Sequence, residues 1–244
     1  DATIISERAD KPGTCGTTDD CAFYDNAIAA GVDAARVAGA RVINMSLGGS
    51  PPGSTLTAAI QRAVNAGIIL VISAGNDGEK PEGVNPDAFA LNPARMFPNN
   101  VIIAGAVGVY SGGATDLNQS ATFSNKAGTG AQYYLTALGT RVLAPDNSGS
   151  LFYWSGTSFS APVISGAVAL LAQAFPNLTS AQIISLLYTS ADDLGAAGVD
   201  TTFGHGRLNI AKAFQPAGKT TLGTSQIAIG DATLCTNPLY GRGC

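Results

Sequence analysis

Three short apolar runs constrain this chain more than any other feature. They are residues 41–47 (RVINMSL), 68–73 (IILVIS) and 101–107 (VIIAGAV). Each is rich in β-branched residues and apolar almost throughout, as a strand buried on both faces must be. Between them lie stretches with helical spacing. In 24–38, Ile28, Val32, Ala35 and Val37 recur near helical intervals and Gly39 follows; 55–66 repeats the pattern and Gly67 follows. Strand, helix, strand with glycine at the switches predicts right-handed βαβ units and hence a parallel sheet flanked by helices.

The remaining segments are less regular. Residues 1–21 are polar and turn-rich, a surface loop. Residues 77–100 hold four prolines with several Asn and Gly, which reads as one long loop of the kind that is usually functional. Residues 110–155 alternate strand-like pieces (ATFS, YYLTAL, RVLAP, LFYW) with Gly-rich turns. Residues 157–175 form a long helix, apolar nearly all round and so expected in the domain centre. A second helix is expected over 179–190, capped by Thr179 or Ser180, and a short last one over 209–214. The expected division is a domain over 1–214 and a tail, or the start of a further segment, over 215–244.

Composition excludes several function classes. Hydrophobic residues are 45% and charged residues 12% of 244, so a large core is available. Net charge is −4 with no Lys/Arg run, which argues against nucleic acid as a partner. No apolar run reaches the roughly 20 residues needed to span a bilayer. The chain opens on Asp1 with no leader-like segment, so it reads as a processed product or a fragment. Four cysteines fall in two close pairs, Cys15 with Cys21 and Cys235 with Cys244, neither spaced as CxxC. With one histidine they make no zinc set; two short disulfides in a secreted protein fit the pattern, against buried free thiols in a cytosolic one.

Three segments carry chemistry. In 156–162 (GTSFSAP), Ser158 follows Gly-Thr at the mouth of the long apolar helix, where unpaired N–H groups and a partial positive charge suit a developing oxyanion. In 71–76 (VISAGN), a buried strand ends in small residues and then Asn76, whose amide can donate to that oxyanion; a plain turn residue is the simpler role. In 44–49 (NMSLGG), a strand runs into Gly48-Gly49 and leaves backbone open for a peptide to pair with.

Together, in this order, these segments resemble the subtilase family of serine proteases. GTSFSAP resembles its nucleophile signature, SAGN its oxyanion strand end and NMSLGG its substrate-pairing strand. FPNNVIIAGAV, ATFSN, RVLAP and GHGRLN extend the likeness from about residue 24 to 214. The resemblance implies a subtilisin-like α/β fold and a serine endopeptidase. Ser158 would attack the scissile carbonyl, and Asn76 with the Ser158 N–H would form the oxyanion hole. Ser46, Leu47 and Gly48 would pair with substrate and, with Ala74 and Gly75, wall the pocket for the side chain preceding the scissile bond. Pro93-Ala94 would lie near its floor.

The family's Asp and His motifs, which precede NMSLGG in chain order, are not found in these residues. The fold is therefore expected to lack its N-terminal portion, and a serine without a base is a poor nucleophile. The missing segment of the same protease is expected to supply Asp and His as a partner. Its loss should expose sheet edges and apolar helix faces. The alternative is a catalytically incomplete fragment or pseudoprotease that binds peptides or a partner through 46–48.

A second rival arranges Ser158, Asp192 or Asp193, and His205 as an α/β-hydrolase triad, though Ser160 stands where that motif wants Gly. Gly218-Lys219-Thr220 lacks the first glycine and preceding strand of a phosphate loop. Asn118 and Asn177 open glycosylation sequons. Asp77, Glu79 and Asp87 invite calcium, which the family often uses, but a solvated acidic loop is the plainer reading. No metal or cofactor is assigned. A secreted or cell-surface location is expected.

Overall fold

In a computed structural model, residues 2–11, 13–15, 21–146 and 148–215 are described. The 215–244 tail and the Cys235–Cys244 pair lie outside them, save Gln215. The contacts gather Asp1–Phe214 into one compact unit. Cys15 and Cys21 are joined, with S–S 2.10 Å and Cα–Cα 4.5 Å.

The three apolar runs are strands. β1 (Val42–Met45), β2 (Ile69–Ser73) and β3 (Val101–Ser111) run parallel in that order, with Val42 opposite Ile69 and Leu70 opposite Val101. Beyond β2, the free edge of β3 takes the antiparallel β4 (Ala114–Ser120), and its other edge takes the parallel β5 (Tyr134–Leu138). A separate hairpin, β6 (Val142–Pro145) with β7 (Leu151–Trp154), leads toward Ser158.

Helices cover both faces of the sheet because side chains on a strand alternate. Leu70 and Ile72 of β2 join a core with α1 (Asp25–Val37), α2 (Ser54–Asn65) and α3 (Ala88–Met96). Ile69 and Val71 join a second core with α4 (Thr157–Ala174) and α5 (Ser180–Ser190). This is the expected α/β architecture, closed by α6 (Ile210–Ala213).

Three expectations need correction. Residues 77–100 are not one loop: they hold a 3₁₀ turn, Pro81–Val84, and α3, whose Pro93 sits inside the helix. Of the four prolines, Pro81 opens the 3₁₀ turn, where a missing N–H is tolerated, Pro93 lies within α3, and Pro86 and Pro98 fall in the connections. Pro93 and Ala94 are buried, Ala94 in the first core. The ATFS piece is a turn; the strand lies just before it, in polar residues 114–120 whose exposed face hides the apolar alternation.

The third correction concerns α4. One face packs Ile164, Val168 and Leu171 at 0% exposure, but Pro162, Val163 (41%), Gly166 and Leu170 (52%) are exposed along the other. The i, i+4, i+8 spacing of 162, 166 and 170 makes this one stripe. Beside it, β1 pairs with β2 alone among the described residues.

Candidate active site

The C-terminal ends of β1 and β2 and the N-terminus of α4 converge, the place where parallel sheets put ligands. Gly156 precedes α4 with φ 154° and ψ 155°, a conformation nearly confined to glycine. That turn brings Thr157 onto Asn76. Thr157 donates to Asn76 Oδ1 through its backbone N–H and its hydroxyl, each at 2.9 Å. A backbone N–H only donates, so it must face the amide oxygen. The NH₂ end of exposed Asn76 is thereby left outward.

Ser158 is the next residue, part-exposed in the first turn of α4. Its neighbours Thr157 and Phe159 have partners for their N–H groups, Asn76 Oδ1 and Gly156 O. The Ser158 N–H is among the first-turn donors that helix geometry leaves open. The hydroxyl of Ser158 makes no hydrogen bond among the described residues, while its carbonyl accepts from Ser46 Oγ at 2.8 Å. Asn44 Nδ2 donates to the same Ser46 Oγ at 3.0 Å, and Ser165 Oγ of α4 donates to Asn44 Oδ1 at 3.3 Å. The end of β1 is thus pinned to the helix that carries Ser158.

Leu47 is held by Ser73, whose hydroxyl donates to its carbonyl at 2.8 Å. Gly48 and Gly75 then face one another across Asp87. A Cβ on either would lie 2.5 Å from a carboxylate oxygen of Asp87, Oδ2 for Gly48 and Oδ1 for Gly75. Asp87 accepts from Gly49 N at 3.0 Å and from Asn125 Nδ2 at 3.0 Å, and its own N–H reaches Ala74 O at 2.8 Å. Asn125 completes the clamp by donating its N–H to Gly75 O at 3.1 Å and accepting from Asp77 N at 2.7 Å. Burial pushes the Asp87 carboxyl above its ordinary value, and Asp77 adds to the effect.

Ser158, Asn76, Ser46, Leu47, Gly48, Ala74 and Gly75 are therefore brought together. The parts played by Thr157 and Asn125 were missed from sequence, and Asp87 was weighed there only as a calcium ligand or a residue of an acidic loop. Asp87 stands at the N-cap of α3 but makes no capping bond, so the usual meaning of Asp before a helix misleads here.

The in-chain triad is not assembled. Asp192 is held by Arg207 (2.8 Å), Lys212 (2.6 Å) and Asn209 (2.9 Å). His205 Nε2 pairs with Gln132 O at 3.1 Å while its ring stacks on Tyr188. Neither bonds Ser158. Asp77 is paired with Lys80, and no group of three His, Cys, Asp or Glu is placed to hold a metal among the described residues.

A serine at a helix mouth beside an outward-facing asparagine amide, on a helix-covered parallel sheet, has the makings of a serine hydrolase. A family model described as the subtilase family matches residues 2–206. Subtilisin DY of Bacillus licheniformis is 34% identical over 192 residues, 78% of this chain and 62% of that protein. Serotype-specific antigen 1 of Mannheimia haemolytica is 38% identical over 169 residues, 65% of this chain and 17% of that protein. The self-cleaved protease domain of PatA superposes with TM-score 0.62 at 28% identity, covering 79% of this chain and 67% of that one. Fervidolysin from Fervidobacterium pennivorans, a keratinolytic enzyme related to subtilisin, gives 0.61 at 29%, covering 80% and 30%. The chain belongs to the subtilase family. It spans less than two thirds of the length of these curated relatives.

Proposed function

We propose that this chain carries the nucleophile half of a serine endopeptidase, with Ser158 as nucleophile. The observation that supports this best is the Thr157–Asn76 pair, which occupies the Asn76 amide oxygen and leaves its NH₂ outward, one residue from Ser158 on the Thr157 side. An outward-facing amide and an open helix-end N–H would together suit a tetrahedral oxyanion, whose charge grows only in the transition state. Ser158 Oγ would attack the scissile carbonyl and form an acyl-enzyme. The proton it loses would pass to a histidine and on to the leaving amine; water then releases the acid. That histidine and its orienting aspartate would come from residues of the same protease outside the present sequence. Those residues would lie against the exposed stripe of α4 and the free edge of β1.

The substrate is a peptide or protein whose backbone pairs with 46–48. The Cys15–Cys21 bond fits a secreted or cell-surface setting, since such bonds persist in oxidising compartments. The test is labelling of the whole protease with a fluorophosphonate, followed by peptide mapping. Labelling of Ser158, abolished in Ser158→Ala, is expected. A folded whole protease that stays unlabelled, yet binds peptides, would establish the peptide-binding pseudoprotease instead.

A further inference from the structure

Asn125 is buried, 1% exposed, and all four of its polar atoms have partners. Two of these bonds bracket Asn76. The Asn125 N–H donates to Gly75 O at 3.1 Å, and its Oδ1 accepts from Asp77 N at 2.7 Å. A peptide unit is planar. Holding Gly75 O therefore fixes the plane before the Asn76 Cα, and holding Asp77 N fixes the plane after it. The two backbone dihedrals of Asn76 are the rotations of those planes about its Cα. One residue thus sets the backbone from which the exposed Asn76 side chain projects, while Thr157 holds the amide oxygen at its far end.

Asn125 is itself anchored from the sheet. Its carbonyl accepts from the hydroxyl of Tyr134 on β5, and its Nδ2 donates to Asp87 at 3.0 Å. The Tyr134 side chain is buried against β3, where Gly105 leaves the space that its hydroxyl fills; a Cβ there would collide with it. We propose that Asn125 is the positioning residue for the Asn76 amide, with Tyr134 as its anchor. This rests on the proposed reading that Asn76 donates to an oxyanion. Such a donor is effective when it is oriented before the charge develops, since no reorganisation is then needed in the transition state. Asn76 lies at a strand end and is open to solvent, so that orientation must be imposed on it. An Asn125 that served stability alone would act alike whether or not residue 76 can donate.

The experiment is a double-mutant cycle in the whole protease: Asn125→Ala, Asn76→Leu and the two together, assayed on one fluorogenic peptide. Asn125→Ala should lower kcat about ten- to a hundredfold, short of the loss of the donor itself, with KM within about twofold. Added to Asn76→Leu, it should lower kcat by less than about twofold more. Tyr134→Phe keeps the buried ring and should show the same pattern with a smaller fall; it carries the cycle if Asn125→Ala does not fold. Equal falls on both backgrounds, or a loss confined to KM, overturn the proposal. A second measurement needs no turnover. In the Ser158→Ala protein with isotope-labelled asparagine, the Asn76 side-chain amide should give one sharp pair of NMR resonances, which Asn125→Ala or Tyr134→Phe broadens or splits. Resonances of Asn76 that neither variant moves overturn the proposal, active enzyme or not. Failure of the underlying reading looks different: kcat unchanged in Asn76→Leu, with the resonances still dependent on Asn125, removes the oxyanion role and keeps Asn125 as the residue that orients Asn76.

Discussion

The amide oxygen of Asn76 is held by a single neighbour. Thr157 supplies both hydrogen bonds that hold its amide oxygen, and its hydroxyl also lies 3.3 Å from Gly75 O. If that amide stabilises an oxyanion, Asn76→Leu should lower kcat by about 10²–10³ with KM far less changed, the magnitude known for loss of the oxyanion-hole asparagine in a subtilisin. Thr157→Val keeps the N–H and loses the hydroxyl, so a smaller fall in kcat, about tenfold, is expected in the same steady-state assay. Unchanged kcat in Asn76→Leu would remove Asn76 from the chemistry. Residues at this scale were legible where the role is local. Ser158 and Asn76 announce themselves through small neighbours and a strand or helix end. Asp87 and Asn125 did not, because their partners are distant in sequence: Gly49 is 38 residues from Asp87, and Asn125 another 38 beyond it. Nothing in the local composition separates such an Asp from one in a solvated acidic loop.

Elements were legible in proportion to how evenly they are buried. β2 is buried at every position and its run of ILVIS is unmistakable; β4 is exposed along most of its length and was missed. The α5 start was readable because its signal is chemical. Thr179 accepts from Gln182 N while the Gln182 side chain accepts from Thr179 N–H, a complete capping box. Thr179→Ala should cost about 1 kcal/mol in denaturant unfolding, without effect on the candidate site. The junction between α5 and α6 is electrostatic instead. Asp192 follows α5 and gathers Lys212, Arg207 and Asn209, and the first two hold its carboxyl well below the ordinary value of 3.8. A depressed folded-state pKa stabilises when the group is ionised in both states. The stability difference between wild type and Asp192→Asn should therefore be complete above about pH 4 and shrink as pH falls through the lower folded value. Unfolding curves measured across acid pH would show it; a difference independent of pH would deny the ion pairs any part.

The whole molecule is asymmetric in a way its elements are not. Both faces of β2 and β3 are covered, yet α4, the most apolar of the described helices, keeps Val163 and Leu170 at 41% and 52% exposure beside the open edge of β1. A fold that buries Leu171, Ile164 and Val168 completely has no local reason to leave the next stripe of the same helix wet. Such a stripe, continuous with an unpaired strand, is a surface that another part of a protein covers. The same stripe explains why the sequence alone placed α4 at the domain centre: composition reports what a helix is built to bury, not whether the cover is at hand. Opposite outcomes are expected in two proteins. In the 244-residue chain, Val163→Glu with Leu170→Glu should leave stability within about 0.5 kcal/mol per site, as exposed substitutions do. The same pair should reduce self-association in sedimentation velocity, since it breaks the apolar stripe. In the whole protease it should cost about 1.5–3 kcal/mol per side chain, the worth of burying each fully, and more for the stranded charges. Fluorophosphonate labelling of Ser158 should fall with it. If the whole protease carries both glutamates at full stability and labelling, the stripe faces solvent there too, and the histidine that Ser158 requires must approach from another side of the cleft.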